Sequence, residues 1–334
     1  MSVAVGIIAN PAAGRDIRRL VAGASVSGSA DKAGMVLRAL AGLGAAGVTR
    51  ALMMPAGDGL SATLRSRLTG TDAALPALEE LEMRLTGTAA DTAVAVERMR
   101  AAGVKALIVL GGDGTHRVVA KACGELPLCS LSTGTNNVFP AMREATVAGL
   151  ATGLFATGRA GEGAVRREAA LRLELPGGET DLALVDVAVS GERFIGARAL
   201  WRGGDVRELF AAFADPGAVG LSAVAGLLQP LPRGGGQALH VRMATDADEA
   251  ALTLRVPLAP GLVAPVAIAS HRTLELGEAV TVPPGDGCLA LDGEREIERR
   301  RGETATVTLV PGPLTLDVDA VMRDAAHRNA THTE

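Results

Sequence analysis

Residues 104–115 read VKALIVLGGDGT. The first seven form the clearest buried-strand candidate in the chain, and they run without a spacer into Gly111-Gly112-Asp113-Gly114-Thr115. A strand that ends in glycines and opens a helix suits phosphate binding. Glycines let backbone N–H groups approach phosphate oxygens without a Cβ clash. The following helix turns the positive end of its dipole to the same anion. An acid inside such a loop repels phosphate. Asp113 therefore makes chemical sense as a Mg²⁺ ligand, or as the base that takes a proton from an attacking hydroxyl. On spacing alone, a tight turn capped by Asp113 is equally consistent.

The neighbouring segments supply a scaffold. Residues 3–9, 48–53, 79–85 and 127–131 read as strands. Residues 31–43, 88–102, 115–123 and 144–156 read as helices, with Gly103 closing the second of them. Strands alternating with helices imply a parallel sheet covered on both faces, an α/β doubly wound domain. The texture changes at 158–167. Beyond it, 169–175, 183–190, 239–244, 251–257, 263–270 and 304–310 read as shorter strands between Pro/Gly turns, a mainly antiparallel β pattern. One helical insertion is expected at 206–213. The domains are accordingly 1–160 and 161–318. A tail, 319–334, is expected to carry a last helix at 319–327 that can pack on the N-terminal domain.

Two more polar loops follow strands of the first domain. One is Ser132-Thr133-Gly134-Thr135-Asn136-Asn137-Val138, with Pro140 suited to the next helix's first turn. The other runs from Asn10 through Gly14 and Arg15 to Asp16, and Arg15, Arg18 and Arg19 are within reach of phosphates or form a solvated face. All three loops belong at the carboxyl edge of the sheet, where open α/β sheets bind ligands. Gly42-Leu43-Gly44-Ala45-Ala46-Gly47 matches the dinucleotide fingerprint GxGxxG but follows a helix and precedes a strand, the reverse of what pyrophosphate binding needs. It reads as a glycine-rich helix exit. In the second half, Leu291-Asp292-Gly293-Glu294 sets two carboxylates around a turn glycine. They suit a general base and a metal ligand, although alone the motif is a hairpin turn. His116 reads as a partly solvated residue of a first helical turn, and His240 and His271 as structural. The run Glu294–Arg301 reads as a solvated edge strand or turn, apart from Glu294.

Composition narrows the class. The 334 residues carry a net charge of −4, and 2% are aromatic. Mild acidity argues against a dedicated nucleic-acid or anionic-membrane binder. So few rings argue against stacking on single-stranded nucleic acid or glycans. Cys123, Cys129 and Cys288 have no metal-ligand spacing and read as small core residues. No apolar run reaches the length of a membrane span. A cytoplasmic protein without stable membrane association is expected.

The ordered set NPAAG, GGDGT, STGTNN and LDGE resembles the superfamily of NAD kinases and diacylglycerol-type lipid kinases. NPAAGRDIRRL and DKAGMVLRALAGL look most like its ATP-NAD kinase-like group, that of acetoin catabolism protein X. The resemblance implies that superfamily's α/β-plus-β architecture and an ATP-dependent kinase using Mg²⁺. It would phosphorylate the adenosine ribose 2′-hydroxyl of NAD(H) to give NADP(H). A lipid kinase, or a non-catalytic nucleotide-binding accessory protein of acetoin catabolism, is the alternative. Asp113 matches the acid that NAD kinases use on the 2′-hydroxyl; Asp292 and Glu294 match the acids of lipid kinases. Asn10, Gly14, Arg15, Gly111, Gly112, Gly114, Thr115, Thr133, Gly134, Thr135, Asn136 and Asn137 match the nucleotide loops. Asp186 matches the acid of an adenine-reading Asn-acid pair, in which Val185 replaces the Asn. No dedicated metal-ligand set is implied, and a homo-oligomer is expected.

Overall fold

A computed structural model describes residues 2–9, 28–56, 59–68, 74–134, 137–161, 163–191, 206–246, 248–293, 295–300, 302–328 and 331. They divide into two compact units. One takes the chain up to Arg166 and again from Pro313 onward; the other takes Arg167–Gly312.

The first unit contains β1 (Ala4–Ala9), β2 (Arg50–Met53), β3 (Ala77–Glu80), β4 (Leu107–Gly111) and β5 (Leu128–Ser132). They pair in parallel in the order β3-β2-β1-β4-β5. The strand order reverses between β1 and β4, the place where doubly wound sheets open a crevice. Between the strands run α1 (Ser29–Ala45), α2 (Leu60–Leu68), α3 (Ala89–Ala101), α4 (Asp113–Ala122) and α5 (Ala145–Ala156). Alternate residues of the central strands serve opposite faces. Val5, Ile7, Ile108 and Leu110 join the core that includes Val36 and Leu40 of α1 and Ala148 and Ala151 of α5. Ala4, Ile8, Leu107 and Val109 join Val96 and Met99 of α3 and Val119 of α4. A strand buried on both faces must be apolar throughout, hence the unbroken runs at 4–9 and 107–110.

The GxGxxG run is a packing device. α1 and α5 touch backbone to backbone: a Cβ on Gly42 would lie 2.2 Å from the Thr146 carbonyl oxygen, and one on Gly149 would lie 2.2 Å from that of Ala39. A Cβ on Gly44 would meet the Ala74 carbonyl at 2.0 Å, and Gly47 ends the helix at φ 76°. The glycine-rich exit expected from the sequence is thus explained by steric need. The short helix α2 is not evident in the sequence, because only Leu60, Ser61 and Leu64 of its nine residues are buried.

In the second unit, β8 (Asp186–Ser190), β9 (Val206–Ala211), β10 (Gln237–Met243), β11 (Leu252–Ala259), β12 (Leu262–Glu275), β14 (Gly287–Leu291) and β15 (Arg295–Arg299) form one antiparallel sheet, ordered β11-β12-β10-β9-β8-β14-β15. β6 (Val165–Glu174) pairs antiparallel with β7 (Thr180–Ala183), and β13 (Ala279–Val282) with β16 (Ala305–Leu316). A short helix, α6 (Ser222–Leu228), follows β9. β16 then leads back into the first unit, where Thr315 pairs in parallel with Leu128. Asp317 caps α7 (Val318–His327) through Ala320 N at 2.9 Å, and Val318, Val321 and Ala325 enter the first unit's core.

Two sequence expectations are corrected here. Residues 206–211 form a strand, not a helix. The apolar spacing of VRELFAAF suits a helix, but β9 is sandwiched between β8 and β10 and buries Leu209 and Phe210 on opposite faces. Neighbouring strands on both sides outweigh local preference. The expected strand at 183–190 is two strands, broken at Leu184-Val185 because those backbone N–H groups are taken by a side chain described below.

Candidate functional site

The first unit brings two of the three polar loops together. β4 and β5 are adjacent and in register, so that Gly111 and Ser132 are direct partners at their carboxyl ends. Gly112 is the extended residue before α4, whose first residue is Asp113. A Cβ on Gly111 would come within 2.6–2.8 Å of the Thr115 side chain. The glycine is therefore required by the close return of Thr115 over the strand end, and Gly111 and Thr115 form one compact turn. Helix α4 thus begins two residues before the expected 115.

The Asp113 side chain faces the second loop. Its carboxylate accepts Val138 N at 3.1 Å on each oxygen and Phe139 N at 2.8 Å on Oδ1. The residue is 5% exposed. It therefore ties the GGDGT turn to the end of the STGTNN loop and satisfies two backbone donors that would otherwise be lost to solvent or buried. The second loop is closed from within. Ser132 Oγ donates to the Gly134 carbonyl at 2.6 Å and accepts Asn137 Nδ2 at 2.7 Å, while Asn137 Nδ2 also reaches the Gly134 carbonyl at 3.3 Å. Thr133 and Gly134 lie between these contacts and are buried.

Ser132, the first residue of STGTNN, organises its loop from the last position of β5. Two participants lie outside that motif: Val138 and Phe139 contribute through backbone atoms that any residue carries. His116 is a correction. It is fully buried, with Nδ1 2.9 Å from the Gly112 carbonyl oxygen and its ring 5.7 Å from that of Phe139. Four residues on from Gly112, it lies on the helix face turned back to the loop, so it braces both loops rather than meeting solvent. Arg143, just beyond the second loop, makes a bidentate ion pair with Asp319 of α7 at 2.6 Å per contact.

The second unit assembles the other acids. The β14–β15 turn holds Asp292 in the left-handed region, at φ 50°. Its Oδ1 accepts Leu184 N at 2.9 Å, Val185 N at 2.8 Å and Asp186 N at 3.3 Å, and Asp292 N donates to the Asp186 carbonyl at 2.9 Å. Asp186 and Asp292 are each 6% exposed. This single carboxylate oxygen breaks the expected 183–190 strand. LDGE is thus a hairpin turn whose acid holds the β7–β8 connection. His240 is structural as expected, with Nε2 2.7 Å from Glu208 Oε2 and its ring stacked on Phe210 at 4.3 Å. The 295–299 stretch is an edge strand, yet Arg299 is buried.

Asn10, Gly14, Arg15, Arg18, Arg19, Thr135, Asn136 and Glu294 lie outside the described residues. No group of three or more metal-ligating side chains occurs among the described residues. No helix there is long and apolar enough to cross a membrane.

Comparison with known proteins matches two stretches of the chain to two families. Residues 5–160 match the ATP-NAD kinase N-terminal domain family, and residues 169–312 match the acetoin catabolism protein X C-terminal domain family. Acetoin catabolism protein X from Cupriavidus necator is 45% identical, over 97% of this chain and 93% of that protein. The crystal structure of a candidate diacylglycerol kinase from Bacillus anthracis str. Sterne matches with a TM-score of 0.48 at 13% identity, over 96% of this chain and 98% of that one.

Proposed function

The chain belongs to the acetoin catabolism protein X family, and from that premise we propose that it is an ATP-dependent kinase acting on the adenosine ribose 2′-hydroxyl of NAD(H). The observation that carries this reading is the pairing of Gly111 with Ser132 at the carboxyl ends of β4 and β5. It sets a glycine turn, a helix N-terminus and a hydroxyl-rich loop side by side. Phosphoryl transfer asks the protein chiefly for positioning and charge stabilisation, and such a pair supplies fixed N–H donors for nucleotide phosphates. The kinase-type N-terminal domain supports ATP as the donor. A place in acetoin catabolism follows from the relative's name.

The described residues do not assemble a metal cage. Mg²⁺ would enter with ATP, holding phosphates and waters and needing at most one or two protein carboxylates. In this reading Asp113 acts first as the clasp between the loops and also takes the proton of the acceptor hydroxyl.

A second reading, a non-catalytic nucleotide-binding accessory protein, is favoured by one observation. Both acids proposed as bases, Asp113 and Asp292, have carboxylate oxygens engaged by backbone N–H groups. The deciding experiment incubates the full chain with Mg-ATP and either NAD or diacylglycerol micelles, with the acceptor followed in each case. NADP formation supports the kinase. Product from lipid alone overturns it in favour of a lipid kinase. ATP or NAD binding without product supports the accessory reading. Asp113→Asn then separates base from clasp. Loss of a base lowers the rate by roughly 10²–10⁴ with ATP affinity kept, whereas loss of a clasp weakens ATP binding as well.

A further inference from the structure

At the far end of β8 and β14 from Asp186 and Asp292, the second unit holds two arginines, Arg207 and Arg299, that have no ion-pair partner among the described residues. Ser190 is opposite Val206 and Cys288, and Gly287 is opposite Arg299, so four strands end together there. Arg299 is 3% exposed. Its Nη1 donates to the Pro283 carbonyl at 3.0 Å, but its buried Nε has no hydrogen-bond partner. Arg207 is exposed, and neither guanidinium lies within ion-pair distance of a carboxylate among the described residues.

Glycines make room for both side chains. A Cβ on Gly191 would lie 2.7 Å from Arg207 Nη2 and 3.0 Å from its Nε. The position for a Cβ on Gly285 is 3.3 Å from Arg299 Nη2 and 3.7 Å from Arg207 Nη1, so the two guanidiniums converge beside one glycine. Burial lowers the Arg299 pKa, and the neighbouring Arg207 charge lowers it further. The nearby acids have other partners: Glu208 is with His240 and Glu303 accepts Arg300 N. Asp286 Oδ1, in the same loop as Gly285, is buried without a donor.

Two converging guanidiniums, one of them buried with an unused Nε donor, leave Arg299 desolvated with only more distant acids acting on it, a costly arrangement for a protein standing alone. A doubly charged oxyanion would neutralise both and take up forked N–H donors, the geometry for which arginine is suited. We propose that Arg207 and Arg299, with the Pro283–Gly287 loop, form a phosphate-binding site in the second unit, separate from the GGDGT turn. It binds free phosphate or the phosphoryl group of a small molecule, and its existence does not depend on the activity proposed above.

The test is calorimetric titration of the full chain with inorganic phosphate in a chloride-free buffer, with acetate as the control anion. It is run on the native protein, Arg207→Gln, Arg299→Gln, and Gly111→Ala, which disables the first unit's turn. Phosphate should still bind to Gly111→Ala and should bind Arg207→Gln about 10- to 100-fold more weakly, as expected for loss of one charge-assisted hydrogen bond. Arg207 is exposed, so its variant keeps the native melting behaviour even where Arg299→Gln does not. Equal phosphate affinity in Arg207→Gln and the native chain overturns the proposal. So does loss of all binding in Gly111→Ala, tighter binding of acetate than phosphate, or no phosphate binding at millimolar concentration.

Discussion

The Asp113 carboxylate accepts the backbone N–H of Phe139 at 2.8 Å, across 26 positions of sequence. With the parallel contact to Val138, it makes one structural unit of the GGDGT turn and the end of the STGTNN loop. Asp113→Ala removes the acceptor of two backbone donors. An unmatched buried donor costs about 1–3 kcal/mol. Amide exchange at Val138 and Phe139 should accelerate markedly in this variant, while exchange in β4 stays slow. Unchanged protection at those two amides would refute the clasp.

Asp292 plays the corresponding part in the second unit, where one oxygen serves three successive amides. Asp292→Asn keeps a residue that tolerates φ 50° but weakens the acceptor. Urea unfolding should show the second unit destabilised by about 1–3 kcal/mol. Asp292→Gly relieves the backbone conformation and should still lose most of that stability, because the amides and not the turn are what the carboxylate serves.

The helix contact between α1 and α5 gives a test of opposite signs. Gly149→Ala would place a Cβ 2.2 Å from the Ala39 carbonyl, so the helices must separate; the expected cost is about 1–3 kcal/mol. Gly34→Ala, on the same α1, meets only the movable ends of Arg38 at 3.4 Å and Arg67 at 3.9 Å. There the helix preference of alanine prevails and stability should rise by up to about 1 kcal/mol. Denaturant midpoints of the two variants should move in opposite directions.

The Arg143–Asp319 pair is sensitive to acid. The hydrogen bond from Arg143 holds the Asp319 carboxyl below the usual carboxylate value. Its contribution is therefore complete above that usual value, near pH 4, and disappears as the pH falls through the lower folded value. Asp319 is mostly exposed, so solvent screening limits the pair to a few tenths of a kcal/mol. Asp319→Asn should be slightly less stable than the native chain at neutral pH and indistinguishable from it in acid. High salt should also shrink the difference.

The cysteines should be chemically silent. Cys123, Cys129 and Cys288 are buried thiols that form no disulfide among the described residues, and burial pushes the Cys129 thiol up to about 11. Since the thiolate is the reactive form, a disulfide reagent at mildly alkaline pH should titrate no thiol in the folded chain and all three after unfolding. Rapid labelling of the native protein would show that the cores open readily.

Sequence patterns alone determined the strand-and-helix alternation of the first unit, the glycine turn after β4 and the change to antiparallel strands. Each depends on residues close together in the chain: apolar runs that suit burial on both faces, and glycines at a strand end. The GxGxxG run at 42–47 is equally local in its meaning: it follows a helix and precedes a strand, the reverse of a phosphate loop. Tertiary structure alone decided what the charged groups do. Asp113 looks like a base or a cap in sequence, but partners 25 and 26 residues away make it a clasp. Asp292 reaches back more than 100 residues. Residues 206–211 became a strand because β8 and β10 lie on either side, and Arg299, in a highly charged run, is buried with its guanidinium on the Pro283 carbonyl. A carboxylate or guanidinium takes its role from the donors, acceptors and charges within a few ångströms, and in these cases the fold, not the neighbouring sequence, brings them there.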